Sequence, residues 1–410
     1  MRNLLIAAFL VVPTAAFAGG YVVPNVNARD LAMSGSAVAA QDTAAAAYAN
    51  PAALSKLDGL NLSIGGTLID FRSTYTDTTG QFGGGSTTMI PKAAFPPAVY
   101  AAFGGKLSNE MRYGVGAGVT IPGGGFVFWP AGWVGQNDIQ SVDRKVYGFY
   151  LTGGFQPIPT VRLGGGLVYY HTTEHLVQGA NFITQQGQAE IGTSGGQLSY
   201  DLSAEVTPLQ GIPLTLAVDY KHQGVQKLTG HAHFENVPAP LRPLLLDQPA
   251  SHVLTYPNQL NVGAAFRPIE PLLITAGWTW ERFHVYQQDV FAGDLGTTVL
   301  VQRDYKNGYT LRLGGELGVL PVLKLRAGVL RDISPSRAET LGPSLPDSNS
   351  WAVSVGAGYE VVPGLEINAA YFYDKMDAVV STRPEFPGQF DTRANIISLN
   401  VTWKMGQPKG

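Results

Sequence analysis

The sequence predicts an all-β protein, a transmembrane antiparallel β-barrel of about fourteen strands. Three observations carry that prediction. From Tyr113 to Met405 one unit recurs: about ten residues alternating apolar with small or polar, then a turn. The turns alternate as well, one short and proline-bearing, the next long and glycine-rich. Charged residues make up 14% of the chain and apolar residues 45%, against roughly 25% charged in ordinary soluble domains. Lipid covering one side of every strand accounts for both figures.

The elements follow in chain order. Arg2, the apolar run Leu4 to Val12 and Ala16-Phe17-Ala18 read as a secretory signal peptide, residues 1–18, cleaved to leave Gly19 at the mature N-terminus. No later stretch has the length of continuous apolar residues that a membrane helix requires. A soluble exported protein and an outer-membrane barrel both remain, and an inner-membrane protein does not. Residues 19–58 form a separate N-terminal segment, alanine-rich from about residue 25, with Asp42 placed to cap a short helix through Ala47. Small side chains suit packing inside a tube; a short surface helix would need no more.

The barrel occupies 59–405, followed by a polar tail at 406–410. Its strands are expected at Asn61–Phe71, Pro97–Gly105, Arg112–Ile121, Val142–Phe155, Val161–Val177, Gln197–Thr207 and Leu214–Gln226. The second half supplies Gln259–Arg267, Leu272–Tyr286, Tyr309–Gly318, Val322–Leu330, Trp351–Val361, Leu365–Tyr373 and Ala394–Met405. Leu311, Leu313 and Leu317 share one face, Arg312 and Glu316 the other; Leu323 and Leu325 oppose Lys324 and Arg326. A β-sandwich would turn the apolar face inward, and periodicity does not separate the two. The leader, the length and the loop asymmetry favour the barrel. Short connections (156–160, 208–213, 268–271, 320–322, 362–364) all contain proline, which ends a ladder. Long ones fall near 72–96, 122–141, 178–196, 227–258, 287–308, 331–350 and 374–393. Tyr169, Trp278, Trp351, Tyr371 and Trp403 stand near strand ends, as interfacial girdles require.

Composition also excludes chemistry. The chain has no cysteine, hence no disulfide and no thiol catalysis, and its net charge of −3 argues against a nucleic-acid partner. His171-Thr172-Thr173-Glu174-His175 fits the H-x-x-E-H pattern, but zinc peptidase chemistry needs a helix; on a strand the two imidazoles stand roughly 13 Å apart. Gly192-Thr193-Ser194-Gly195-Gly196 fits G-x-S-x-G without the strand-to-helix turn of a nucleophile elbow. No enzyme, metal or cofactor is expected, a barrel lipase being the remote alternative.

Asn50-Pro51-Ala52 before the first strand, then Tyr305-Lys306-Asn307-Gly308-Tyr309, Arg331-Asp332-Ile333-Ser334-Pro335, Leu345-Pro346-Asp347-Ser348-Asn349 and Trp351, occur in an order that resembles the FadL/TodX family of outer-membrane transporters for long-chain fatty acids and other hydrophobic compounds. The resemblance implies an N-terminal hatch plugging the lumen and passive transport of a hydrophobic small molecule. The ligand would be caught among the outer loops, passed to a lumenal pocket and released laterally through a kink in the third strand. Mapped onto this chain, the hatch meets the kink through Asn50, Pro51 and Ala52; the pocket touches Gly19, Gly20 and Tyr21; the kink is Ile121, Pro122, Gly123, Gly124 and Gly125.

Proline removes a ladder donor there and the glycines free the backbone. Alternatively, Pro122 ends the strand and the glycines are loop. Leu241, Leu244, Leu245 and Leu246, with Phe126, Phe128 and Trp129, are candidates for the outer hydrophobic groove or for packing at the barrel mouth. Arg312, Lys324 and Arg326 are candidate lumenal anchors for a carboxylate, or pair with Glu316, Asp219 and similar residues. The expected partners are the ligand and outer-membrane lipid with lipopolysaccharide around a monomer. A general porin for polar solutes is the alternative function.

Overall fold

The computed structural model describes residue 22 and residues 27–182, 185–208, 211–243, 245–296 and 298–405. The leader, the tail, Gly19, Gly20, Tyr21 and Leu244 lie outside them.

Alternation resolves into fourteen antiparallel strands that close on themselves. They are β1 (Gly59–Thr76), β2 (Pro97–Lys106), β3 (Arg112–Phe128), β4 (Ser141–Ile158), β5 (Val161–Asn181) and β6 (Gln186–Val206). Four strands come in two pieces each: β7 (Leu214–Lys221, Gly224–Glu235), β8 (Gln248–Tyr256, Gln259–Ile269), β9 (Leu272–Glu281, Gln288–Gly293) and β10 (Thr298–Gln302, Gly308–Leu320). The last are β11 (Leu323–Ile333), β12 (Ser350–Val362), β13 (Leu365–Met376) and β14 (Gly388–Met405). β1 pairs with β14 from Leu60↔Met405 to Thr76↔Gln389, so the sheet has no edge along this join.

The polarity of the wall is that of a membrane barrel. Leu311 is 58% exposed on the outside, whereas Arg326 is 3% exposed on the inside. A soluble sandwich would show the reverse.

Each predicted strand has its counterpart, but several run further toward the long loops than expected. Residues 186–196, 248–256 and 288–293 read as loop and form ladders instead. Beyond the bilayer the outward positions become polar, and the inward ones carry charges that satisfy one another, so the apolar alternation fades while the strand continues.

The hatch is built from single turns: α1 (Ala28–Ala32), 3-10 turns at Ala37–Ala40 and Pro51–Lys56, and α2 (Ala46–Ala49). Asn27 caps α1, its side chain accepting from Asp30 N at 2.8 Å. Asp42 does not cap α2, whose preceding residue Ala45 makes no side-chain cap. It pairs instead with Arg29 at 2.5 Å and Lys404 at 3.5 Å. Inside a charged lumen, two cations offer a carboxylate more than one helical turn does. The wall meets the hatch with glycine at Gly104, Gly114, Gly154 and Gly164 and, across the lumen, at Gly314, Gly328 and Gly356. A Cβ on Gly114 or Gly164 would stand 2.1 Å from the Leu54 carbonyl oxygen or the Ala52 nitrogen, so backbone packs directly on backbone.

Candidate functional site

The third strand leaves the wall. β3 pairs with β2 only as far as Val99↔Val119. Against β4 its register steps from Thr120↔Gly148 to Gly123↔Val146, one extra residue on β3. Thr120 to Val127 are buried without alternation, which places both faces of this stretch inside protein. Pro122 has no N–H to give to a ladder. Its carbonyl accepts the Tyr256 hydroxyl at 2.9 Å from across the lumen. Val22 of the N-terminal segment forms an antiparallel bridge with Gly123. The wall rejoins above, where Ile90 N donates to Phe128 O at 2.8 Å and the Lys92 ammonium sits 3.7 Å from the Phe128 ring centre. Between these points no ladder pair among the described residues joins β2 and β3.

Above the bulge lies a cavity of about 640 Å³ toward the long-loop rim. Val142, Leu176, Ile191, Phe291, Val299 and Val301 give it apolar walls, and Gly125 of the bulge lines it too. Arg144, Asp289 and Arg303 bring charge to the same cavity. Glu174 accepts from Arg144 Nε at 2.7 Å, and Asp289 from Arg303 Nε at 2.9 Å. The Tyr286 hydroxyl donates to Asp289 at 2.6 Å. His252 bridges the carboxylates, Nδ1 2.9 Å from Glu174 and Nε2 3.0 Å from Asp289.

Two ring nitrogens facing two acceptors must both carry protons, so the imidazole is cationic. Its ring stacks on Phe291, centroids 4.3 Å apart. Asp138, Arg383, Glu339 and Glu385 line the same cavity, so both signs of charge meet there. These residues escaped the sequence reading, although alternation along β4 and β5 turns Arg144 and Glu174 inward. In H-x-x-E-H Glu174 enters the lumen, and neither histidine does; His175 faces out, 2.6 Å from Glu190. Ser194 of G-x-S-x-G lies within β6.

Asn50, Pro51 and Ala52 pack on β4, β5 and β6 rather than on the bulge. Asn50 Nδ2 donates to Glu205 at 3.2 Å, Ala52 N donates to Ser203 Oγ at 2.8 Å, and the Pro51 carbonyl lies over Gly154. The buried Glu205 carboxylate draws them there, together with Lys56 at 2.7 Å and Arg162 at 3.1 Å. Val22 is the segment that reaches the bulge.

Lys324 pairs with Glu366 at 2.8 Å; Arg326 pairs with Glu316 at 2.6 Å and Glu366 at 3.0 Å. Arg29 of the hatch joins Glu316 at 3.0 Å, so these cations tie hatch to wall. Arg312 gives a guanidinium N–H to Thr279 and lies against Gly35. None of the three lines the cavity. Leu241, Leu245 and Leu246 sit in the β7–β8 connection, also outside the lining. Phe126 and Trp129 are buried; Trp129 stacks on Trp133 at 4.2 Å and donates to Pro343 O at 3.1 Å. Phe126 and Phe128 meet at 4.6 Å. These aromatics pack the barrel mouth.

The fold is similar to that of a Pseudomonas aeruginosa FadL homologue (TM-score 0.82, 19% identity, covering 95% of this chain and 100% of that one). It is similar as well to the Pseudomonas putida toluene transporter TodX (TM-score 0.74, 16% identity, 96% and 99% covered). In sequence it is 23% identical to NMB0088 of Neisseria meningitidis serogroup B, an outer-membrane protein by name, with 93% of each chain covered. A family profile described as "Outer membrane protein transport protein (OMPP1/FadL/TodX)" matches residues 9–405. Joined to a closed fourteen-stranded wall around a lumenal hatch, that match places the chain in the OMPP1/FadL/TodX family of outer-membrane transport proteins.

Proposed function

We propose that the chain moves hydrophobic small molecules passively across the outer membrane after its leader is removed, and that its preferred cargo is an amphipathic anion, an apolar tail ending in a carboxylate. The observation that carries this reading is the cavity, apolar on its walls, with the buried guanidiniums of Arg144 and Arg303 in its lining. Its volume of about 640 Å³ falls within the roughly 300–1,000 Å³ usual for small-molecule sites.

An aqueous pore gives such cargo no route, since each CH₂ held in water costs about 0.8 kcal/mol. Apolar walls remove that cost, and a buried positive charge favours an anionic head far more than a neutral ring. From the cavity, Gly125 leads to the stretch where no ladder pair joins β2 and β3. Release there delivers the cargo into the bilayer rather than into the periplasm. Long-chain fatty acids fit both ends of the cavity; aromatic hydrocarbons fit only its walls. The hatch filling the lumen argues against an open porin.

The test is uptake of labelled oleate and labelled toluene by a transporter-deleted host expressing the chain. Arg303→Gln is expected to lower oleate uptake about tenfold, the equivalent of about 1.4 kcal/mol, and to leave toluene uptake within twofold. Equal loss of both would remove the head-group role, and uptake no greater than in the empty host would remove transport.

A further inference from the structure

A second interruption of the wall lies between β6 and β7. β6 pairs with the upper piece of β7 from Ser194↔Thr229 outward, and with the lower piece from Asp201↔Lys221 inward. Among the described residues no ladder pair joins Gly195–Tyr200 to His222–Leu228. Their cross-links are His222 N donating to Tyr200 O at 3.0 Å and Ser199 Oγ near the carbonyls of His222 and Gln223, 2.9 Å each. The ladders on either side are intact, Thr172↔Gly195 through Leu167↔Tyr200 on β5 and Gly224↔Tyr256 onward on β8. At the upper end Gly195 packs directly on the Lys227 backbone, where an added Cβ would meet its carbonyl oxygen at 2.3 Å, so the ladder is lost mainly between Gly196–Ser199 and Gln223–Gln226.

The seam stands at bilayer height. Leu198 and Val225 flank it on the lipid side, 56% and 44% exposed. Thr120, Gly148, Tyr170 and Gln197 form one cross-strand row, which joins the seam to the β3 bulge by strand register. Backbone groups left unpaired at such depth persist only where they are buried in protein or border a wet cavity. Both occur here. The Tyr170 ring crosses to Gly224, where an added Cβ would meet it at 2.7 Å, and the Tyr169 hydroxyl lies over Gly196 from the other side. Gln226, fully buried on the lumen side, has neither its amide oxygen nor its amide nitrogen bonded.

We propose that this seam is a second lateral passage between lumen and bilayer for the same hydrophobic molecules, with Tyr170 as its inner cover and the Gln226 amide as a polar contact along it. The proposal rests on the transport reading above.

The chain has no cysteine, which permits crosslinking at chosen pairs. Leu198→Cys with Val225→Cys spans the seam; Val99→Cys with Val119→Cys spans the end of the β2–β3 ladder; Leu163→Cys with Ala204→Cys, on the paired β5–β6 wall, is the control. Labelled-oleate uptake is measured before crosslinking with a short thiosulfonate reagent, after it, and after reduction. The seam pair is expected to lose uptake several-fold and to recover on reduction, with residual flux through the other gap. The control should stay unchanged.

Unchanged uptake in the crosslinked seam pair would overturn the passage, while loss in the β2–β3 pair would leave the transport reading standing. Uptake by the unmodified chain no higher than in the empty host would sink both. Independently, Tyr170→Ala, with folding verified by heat-modifiable gel mobility, is expected to raise uptake; no rise would overturn the role of Tyr170 as the cover.

Discussion

His252 shows what a single side chain does in this lumen. Glu174 and Asp289 come from β5 and β9, and their buried carboxylates would repel each other without the imidazolium between them. Asp77 illustrates a different economy outside the membrane. It folds the β1–β2 loop around itself, accepting backbone N–H groups from Thr79, Gly80, Phe82 and Gly84. Desolvation pushes its carboxyl upward, but those donors outweigh it and hold it at about 2. A depressed acid contributes stability above its unfolded value and loses it as pH falls through its folded one. Limited proteolysis of this loop should therefore accelerate between about pH 4 and pH 2, and Asp77→Asn should remove that dependence. Inward charges such as Lys324 and Arg326 were legible from alternation alone. Their partners were not: Lys324 meets Glu366 through strand register, and no local pattern reports which distant carboxylate stands opposite.

Strands were the most legible elements, because one face had to be greasy wherever lipid touched it. The breaks were not legible. β7, β8, β9 and β10 are all interrupted, at His222-Gln223, Pro257-Asn258, Arg282–Gln287 and Arg303–Asn307, and only the second break contains a proline. Packing across the lumen decides the others, as where Phe283 and Tyr286 turn inward and are buried. The hatch was visible as an alanine-rich stretch, but the position of Asn50-Pro51-Ala52 was set by a buried carboxylate on β6. Gly164 offers a direct test of this packing, since a side chain there collides with Ala52. Gly164→Val should displace the hatch and lower the temperature of the heat-modifiable transition; an unchanged transition would mean that the hatch adjusts freely.

The barrel as a whole divides its lumen by height. Hatch and salt-bridge mesh fill the half near the short turns, where Arg29, Glu316 and Arg326 join plug to wall; the cavity occupies the half near the long loops. In planar bilayers the intact chain should show little conductance to small ions, whereas deletion of residues 19–56 should give stable open steps of porin size. Large steps from the intact chain would favour the porin alternative. The glycine positions facing the hatch also carry a consequence for biogenesis. With backbone laid on backbone, no slack remains for threading a plug into a finished cylinder. The leader-proximal segment must already rest against the growing sheet when β1 zips to β14, so closure of the ring is the step that imprisons its own stopper.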